Sequence, residues 1–366
     1  MEKRRGAGDV VYYSHHVPDI SSTTRYNHAV ALARRARSSV LLTNRAPPER
    51  VQDEYDTVHV LGDITSGKHV LERTLQARRI VNTVRDRSAD GDVTYVTEFT
   101  YAQVLSGYLS NAKWVVDVFD DPLQLSIRRP IYSPHQITSR MLLRVIDRAD
   151  VVVTTLHPDG PRSHLGRSTR FALNGSPVSS ITHERKPTQP PLRCVWVGKT
   201  GRGWGIESLL EALTYVDTDL VVDVYGEPTS RAEAVSAELG LSDQVRFHGN
   251  VSHEQVCRSI EKAHVGLCTL TAFDDFRYAY PIKIGEYLAA GAIPVMSDFP
   301  GMRTLAREAG VYTDPTPRDI ATALRGIAAM SADELEQLAV LARERAEDIS
   351  WENERERFAE HVFSAG

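Results

Sequence analysis

A carboxylate inside a short predicted helix is the residue best suited to chemistry in this sequence. Glu286 lies in the segment Tyr-Pro-Ile-Lys-Ile-Gly-Glu-Tyr-Leu-Ala-Ala-Gly-Ala-Ile-Pro-Val, which spans residues 280–295. Pro281 suits the start of a helix, and Gly291 suits a left-handed cap at its end. Helix amides bind phosphate and a carboxylate accepts ribose hydroxyls, so this pattern predicts a site for a nucleoside diphosphate. An ordinary β-α-β connection with a solvated glutamate would give the same pattern.

A glycine-rich loop follows a predicted strand in the second half of the chain. The segment Gly-Lys-Thr-Gly-Arg-Gly-Trp-Gly spans residues 198–205. Glycine lets the backbone approach a ligand closely, and Lys199 and Arg202 could neutralise phosphate charge. The spacing does not fit the G-x-G-x-x-G pattern of dinucleotide sites. The alternative interpretation is a flexible surface loop with solvated cations.

Two further glycines follow predicted strands and could bring the backbone close to a base. They are Gly226, after Tyr225, and the glycine of the segment that ends in Asn250 and Val251. Main-chain groups of Asn250 and Val251 could then contact the base of a nucleotide. Tight turns alone would also explain both glycines.

Carboxylates follow a predicted strand in the first half, in Asp117-Val-Phe-Asp-Asp-Pro122. Because a general base must lie within hydrogen-bond reach, Asp120 and Asp121 are candidates to orient an acceptor or accept its proton. Glu98 ends the preceding strand and is a weaker candidate. Helix caps and turn formers are the alternative interpretation. The hydroxyls of residues 21–24 are expected to cap the first helix. Ser252 with Gln255, and Ser331 with Glu334, are expected to cap two later helices.

Short apolar runs alternate with helical patterns along the whole chain, which predicts an α/β fold with parallel, doubly wound sheets. The predicted strands are residues 10–13, 39–42, 58–60, 93–96, 114–119, 151–155, 193–197, 220–225, 245–247, 264–268 and a run after Gly291. A stretch rich in Pro, Ser and Gly at 175–191 separates two Rossmann-like halves. Ligands in such sheets bind at the carboxyl ends of the strands.

Composition excludes several classes of function. The chain has 366 residues, enough for two domains, and its formal charge of −5 gives no general attraction to nucleic acid or anionic lipid. No apolar run approaches the roughly 20 residues that span a bilayer, and no leader peptide is expected. The 3 cysteines are widely spaced and are expected to be structural thiols in a reducing cytoplasm.

Residues 281–295 resemble the donor-site helix of glycosyltransferase family 4, retaining enzymes that use nucleotide sugars and have the GT-B architecture. The resemblance spans most of residues 192–360 and is weak over the first half. Members of this family commonly carry two glutamates eight residues apart. Glu286 matches the second, which contacts ribose, whereas Tyr278 stands in place of the first. The family's usual sugar-hydroxyl contact is therefore not predicted for this chain, and the sequence does not indicate which sugar is bound.

The resemblance implies two Rossmann-like doubly wound parallel-sheet domains that face a cleft. The expected boundaries are an acceptor domain at 1–178, a linker at 179–191, a donor domain at 192–348 and a terminal helix at 349–366 that returns to the first domain.

The resemblance also implies residue roles. Lys199 matches the family's cation after the strand, whereas Trp204 stands where the family has a lysine, so Arg202 could replace it. The predicted donor-binding residues are Gly198, Lys199, Arg202, Gly226, Asn250, Val251, Tyr278, Tyr280, Pro281, Ile282, Lys283 and Glu286. The predicted catalytic residues are Asp120, Asp121, Lys199 and Arg202.

We therefore expect a retaining glycosyltransferase of the hexosyltransferase type that needs no metal or other cofactor. Its partners would be a nucleotide-sugar donor and a glycan, lipid-linked or small-molecule acceptor, without nucleic acid. The expected location is the cytoplasm, with peripheral contact at the inner face of the membrane left open. Two alternatives also stay open: a nucleotide-sugar epimerase, and a non-catalytic GT-B-like binding protein, which the missing first glutamate would suit.

Overall fold

The computed structural model divides the chain into two compact units, Met1–Leu173 with Glu352–Gly366, and Asn174–Trp351. The structure describes residues 8–62, 70–88, 92–119, 134–160, 165, 168–184, 186, 190–201, 203–227, 230–271 and 276–364.

The described part of the first unit is built on a seven-stranded parallel sheet. Its strands are β1 Asp9–Ser14, β2 Ser38–Thr43, β3 Thr57–Val60, β4 Val93–Glu98, β5 Lys113–Val118, β6 Val151–Thr154 and β7 Thr169–Phe171. Its helices are α1 Thr24–Arg35, α2 Glu49–Gln52, α3 Val70–Ser88, α4 Tyr101–Ser110, α5 Pro134–Ile146 and, from the end of the chain, α13 Trp351–Phe363. The strand order is β3-β2-β1-β4-β5-β6-β7.

The described part of the second unit is built on a six-stranded parallel sheet. Its strands are β8 Leu192–Val197, β9 Leu220–Tyr225, β10 Val245–Gly249, β11 Val265–Cys268, β12 Ile293–Ser297 and β13 Val311–Thr313. Its α-helices are α6 Ile206–Leu213, α7 Ser230–Glu238, α8 His253–Lys262, α9 Ile282–Ala289, α10 Pro300–Ala306, α11 Pro317–Ala328 and α12 Ala332–Asp348, with 3₁₀ turns at Phe276–Tyr278 and Arg307–Ala309. The strand order is β10-β9-β8-β11-β12-β13.

Both sheets are doubly wound, which confirms the predicted fold class. In the second unit the chain runs from β8 outward to β9 and β10, and then crosses back to β11 on the other side of β8. The loops after β8 and β11 therefore leave the sheet toward opposite faces. The crevice between two such loops is where ligands bind in this class of sheet.

Alternation along the strands gives each sheet an apolar core on both faces. In β1, Val10 and Tyr12 pack into one buried cluster of the first unit, whereas Val11 and Tyr13 pack into the other. Helix α13 contributes Phe358, whose ring stacks on that of His28 with 3.6 Å between centroids. The last helix therefore completes the core of the first unit.

Local helix signals are confirmed at three ends and fail at one. Ser252 and Ser331 form the predicted capping boxes with Gln255 and Glu334, and Gly291 follows α9 with a left-handed φ of 62°. At α1, however, the Thr23 hydroxyl donates to the carbonyl of Ile20 at 2.8 Å and does not cap the helix. The Thr23 hydroxyl therefore bonds within the turn that precedes the helix and does not form the predicted cap.

Two strands were not predicted, β7 and β13. Each has three residues and ends its sheet, so the apolar pattern is too short to show a period. The three cysteines are free and buried, as expected. Within the described ranges, no helix is both long and apolar enough to cross a membrane.

Gly205 is predicted to tolerate no side chain. It has a left-handed φ of 86°, and a Cβ there would overlap the carbonyl oxygen of Thr269, which follows β11. Gly205→Ala should destabilise the protein by about 3 kcal/mol or more, because conformational strain and the clash add. Urea unfolding followed by tryptophan fluorescence measures this loss.

Gly240→Ala is the matched control. Gly240 has φ 69° but open space around its Cβ position, so it should lose only about 1–2 kcal/mol. Equal losses in both variants would contradict the close approach of Gly205 to Thr269.

Candidate functional site

The loops at the carboxyl ends of β8, β9 and β10 are joined by main-chain hydrogen bonds. The Gly198 amide donates to the Tyr225 carbonyl at 2.9 Å, and the Gly226 amide donates to the Gly249 carbonyl at 2.9 Å. A side chain at Gly226 would overlap the carbonyl of Gly198, so the loops pack this closely only with glycine there. The structure therefore brings together two of the predicted donor-site glycines, Gly198 and Gly226.

Helix α9 is fixed at its start by side chains from the beginning of the second unit. Asn174 Nδ2 donates to the Tyr280 carbonyl at 2.5 Å, and the Ser176 hydroxyl donates to the Gly285 carbonyl at 2.6 Å. Pro281 is the N-cap, one residue before the helical position that the sequence predicted for it. The helix amides at Ile282 and Lys283 thus lie at a firmly held N-terminus.

The Glu286 carboxylate is buried rather than solvated. The residue is 4% exposed, and its Oε1 accepts a hydrogen bond from His253 Nε2 at 2.8 Å. His253 is the first residue of α8 and follows the loop that contains Asn250 and Val251. The loop predicted to contact a base is therefore linked to the carboxylate predicted to contact ribose.

Contacts with the Cys257 sulfur and with the Glu286 carboxylate raise the pKa of His253 to about 10. The imidazole is therefore positively charged at neutral pH and donates to Glu286. The sequence alone does not predict the pairing of His253 with Glu286. It shows a histidine directly after the Ser252 cap, which does not identify a partner 33 residues away.

Lys283 is a second buried charge on α9. The residue is 7% exposed, and its Nζ lies 4.6 Å from the ring centroid of Trp196 and 5.8 Å from that of Trp204. Burial lowers the pKa of this ammonium group. The sequence predicted a contribution from the Lys283 amide, but not from its side chain.

An aromatic surface lies beside the loop of Asn250 and Val251. The rings of Tyr225 and His248 stack with centroids 4.4 Å apart, and His248 Nε2 lies 2.6 Å from Asp223 Oδ1. Asn250 is exposed and Val251 is half-buried. Aromatic faces of this kind can stack on a base. No periodic pattern in the sequence predicts this stack.

The other predicted donor-binding residues differ in how far they are buried, and one of them is not described by the structure. Lys199 is exposed, directly after Gly198. Tyr278 ends a 3₁₀ turn and is half-buried, and Tyr280 is buried. Arg202 lies outside the described residues.

In the first unit, Glu98 at the end of β4 and Asp117 near the end of β5 are both buried. Asp117 accepts from His28 Nδ1 at 2.7 Å. Glu98 accepts from the Ser14 hydroxyl at 2.6 Å and from Arg25 at 3.0 Å. Burial raises the pKa of Glu98, and Arg25 opposes that rise.

The predicted catalytic residues Asp120 and Asp121 lie outside the described residues. Among the residues that the structure describes, no cluster of His, Cys, Asp and Glu side chains could hold a metal ion.

The charge on His253 gives a pH prediction. Its pKa is about 6.5 when unfolded and about 10 when folded, so its stabilising contribution is complete below pH 6.5 and is lost as pH rises through 10. NMR titration of the His253 ring should show this high pKa. In Glu286→Gln the pKa should fall toward 6.5, whereas exposed Glu254→Gln should leave it unchanged. A wild-type ring that titrates near 6.5 would contradict the pairing.

Comparison with known proteins gives a family match within the second unit and a shared fold for the chain. Residues 191–329 match the family described as Glycosyl transferases group 1. A search of curated proteins found no match.

Three similar solved structures share the fold over nearly their whole length. Sucrose-phosphate synthase from Thermosynechococcus elongatus is 17% identical over 96% of this chain and 97% of that chain, with a TM-score of 0.69. HepE of Anabaena, solved in complex with UDP and glucose, is 14% identical over 97% and 99%, with a TM-score of 0.72. Trehalose 6-phosphate synthase from Burkholderia multivorans is 12% identical over 99% and 97%, with a TM-score of 0.65.

The resemblance predicted from residues 281–295 is therefore confirmed. The second unit of this chain matches the group 1 glycosyl transferases, and the chain as a whole has the GT-B fold.

Proposed function

We propose that this protein is a retaining glycosyltransferase that moves a hexose from a nucleoside-diphosphate sugar to an acceptor. The observation that carries the proposal is the buried Glu286 carboxylate inside α9, fixed by His253 beside the loops that follow β8, β9 and β10. The group 1 match of the same unit supports it. So does the likeness to HepE, which was solved with UDP and glucose.

Each part of the donor has a group of suitable chemistry. Glu286 accepts hydrogen bonds from the ribose hydroxyls, and main-chain groups of Asn250 and Val251 contact the base. The diphosphate lies at the amides of Ile282 and Lys283 and near Gly198, and Lys199 and Arg202 supply positive charge for it. Tyr278 and Tyr280 line the sugar pocket.

Catalysis on this proposal is positioning plus charge stabilisation. The acceptor oxygen bonds to the anomeric carbon as the bond from that carbon to the diphosphate breaks. The acceptor's proton passes to the departing phosphate, which keeps the attack on the donor's original face and retains the configuration. Asp120 and Asp121 orient the acceptor, which the first unit binds. No metal is needed in this scheme, so excess EDTA should leave the rate unchanged.

The proposed acceptor is a glycan, a lipid-linked sugar or a small molecule. The first unit carries exposed apolar side chains together with arginines on its helices, including Met141 of α5 beside Arg140 and Arg144. Solvated faces of core helices explain these residues as well. Co-sedimentation with anionic vesicles tests for peripheral membrane contact, and binding there would favour the lipid-linked class.

Loss of Glu286 should weaken nucleotide binding. A calorimetric screen of UDP, GDP, ADP and CMP, with their sugars, identifies the base. Glu286→Ala should then lower affinity for the selected nucleotide by about 1–3 kcal/mol, roughly 5- to 150-fold, because a charged acceptor for the ribose is lost. Glu254→Ala, which removes an exposed carboxylate on neighbouring α8, should leave it unchanged.

Three outcomes would contradict the proposal. Unchanged affinity in Glu286→Ala would remove the ribose role. A new sugar nucleotide formed from donor alone would identify an epimerase. Nucleotide binding with neither transfer nor hydrolysis would identify a non-catalytic binding protein, the outcome that Tyr278 in place of a glutamate favours.

A further inference from the structure

We propose that the Lys283 ammonium group recognises the donor diphosphate, in place of a lysine at position 204 of the glycine-rich loop. This inference deepens the proposed function and rests on it. The position just before the helix-opening Gly205, where the resembling family has lysine, holds Trp204 here. A cationic side chain stands instead at the second residue of α9, in addition to Lys199 of the loop.

The ammonium group of Lys283 is buried, with the residue 7% exposed. Its Nζ makes no hydrogen bond to any of the residues that the structure describes. An ammonium has three N–H donors, and burying them unsatisfied is unfavourable unless an anion binds. Within the described part of the chain, the N–H donors of Lys283 therefore have no acceptor.

The neighbouring side chains do not supply that partner. The rings of Trp196 and Trp204 attract the charge through their faces but accept no strong hydrogen bond. The Glu286 carboxylate is turned to His253. Burial raises the pKa of the Cys268 thiol, which therefore stays neutral. Among the described residues, Cys268 and Glu286 are the ionisable groups that act on Lys283.

The position of the ammonium suits a diphosphate. A Cβ at Gly198 would lie 3.6 Å from Nζ, so the ammonium lies directly beneath the backbone of the loop that follows β8. Lys283 also lies three residues before Glu286, on the same face of the helix. A nucleotide whose ribose reaches Glu286 would place its phosphates near Lys283 and the first amides of α9.

The two tryptophans explain why the side chain stays in place without an anion. Trp196 is fully buried in the core of the second unit, and Trp204 packs against Phe276 with ring centroids 5.2 Å apart. They hold the ammonium beneath the loop and keep it poorly hydrated, which strengthens its attraction for a phosphate.

The test compares UDP with UMP, which lacks the second phosphate, by calorimetry. Lys283→Met should lower UDP affinity at least tenfold and UMP affinity much less, so that the preference for UDP nearly disappears. Glu286→Ala should weaken both nucleotides by a similar factor and keep the preference. Lys262→Met, which removes an exposed lysine at the end of α8, is the matched control and should change neither.

Thermal unfolding separates recognition from a structural role. Removing an unpaired buried charge should leave the melting temperature of the free protein equal or higher, and Lys283→Gln repeats the test with a polar side chain. A melting temperature well below wild type in both variants would show a structural lysine and overturn the inference.

The two proposals fail in different ways. Lys283→Met with the wild-type preference for UDP, alongside a weakened Glu286→Ala, would overturn the role of Lys283 alone. If wild-type protein binds none of UDP, GDP and ADP, the proposed function and the inference both fail.

Discussion

Helix α9 buries a carboxylate and an ammonium group one turn apart and gives each of them a different neighbour. Residues three apart on a helix commonly form an ion pair, but Glu286 is held by His253 and Lys283 lies against two tryptophan rings. If the two groups formed an ion pair with each other, their charges and hydrogen-bonding atoms would be less available to a ligand. Because they are kept apart, the helix carries a hydrogen-bond acceptor and a group of N–H donors within one turn, and the proposed function uses the first for ribose and the second for phosphate.

This arrangement depends on how α9 is held at its far end. The Arg343 side chain donates to the Ala289 carbonyl at 2.6 Å, and Lys186 Nζ donates to the Ala290 carbonyl at 2.6 Å. Both cations lie where the helix dipole is negative, so they stabilise the C-terminal end of α9. Cations of the protein thus bind the carbonyl groups at the C-terminal end of α9. The N-terminal end, where the amides carry a positive partial charge, lies near Lys283. A bound anion would complete the same pattern of charge along the helix.

The sequence predicts the helices that carry the candidate site, because their ends are marked by local signals. Pro281 and Gly291 bracket α9 to within one residue, and serine caps mark α8 and α12 correctly. The pairing of His253 with Glu286 could not be predicted, because it depends on how α8 packs beside α9 rather than on spacing. The same holds for the Lys283 side chain, whose burial follows from the positions of Trp196 and Trp204. The inward orientation of Asp117 likewise depends on His28, 89 residues away.

The two units treat buried ionisable groups differently. At the carboxyl end of the first sheet, Asp117 is matched by His28, and Glu98 by Ser14 and Arg25, all within that unit. Glu98, with partners of this kind, has little reason to exchange them for a ligand, whereas Asp117 Oδ1 has no hydrogen-bond partner among the described residues. In the second unit, Lys283 Nζ likewise has no partner within the described ranges. On the proposed function, recognition of the charged donor belongs to the second unit. An acceptor bound by the first unit would be selected more by shape and neutral hydrogen bonds than by these buried carboxylates.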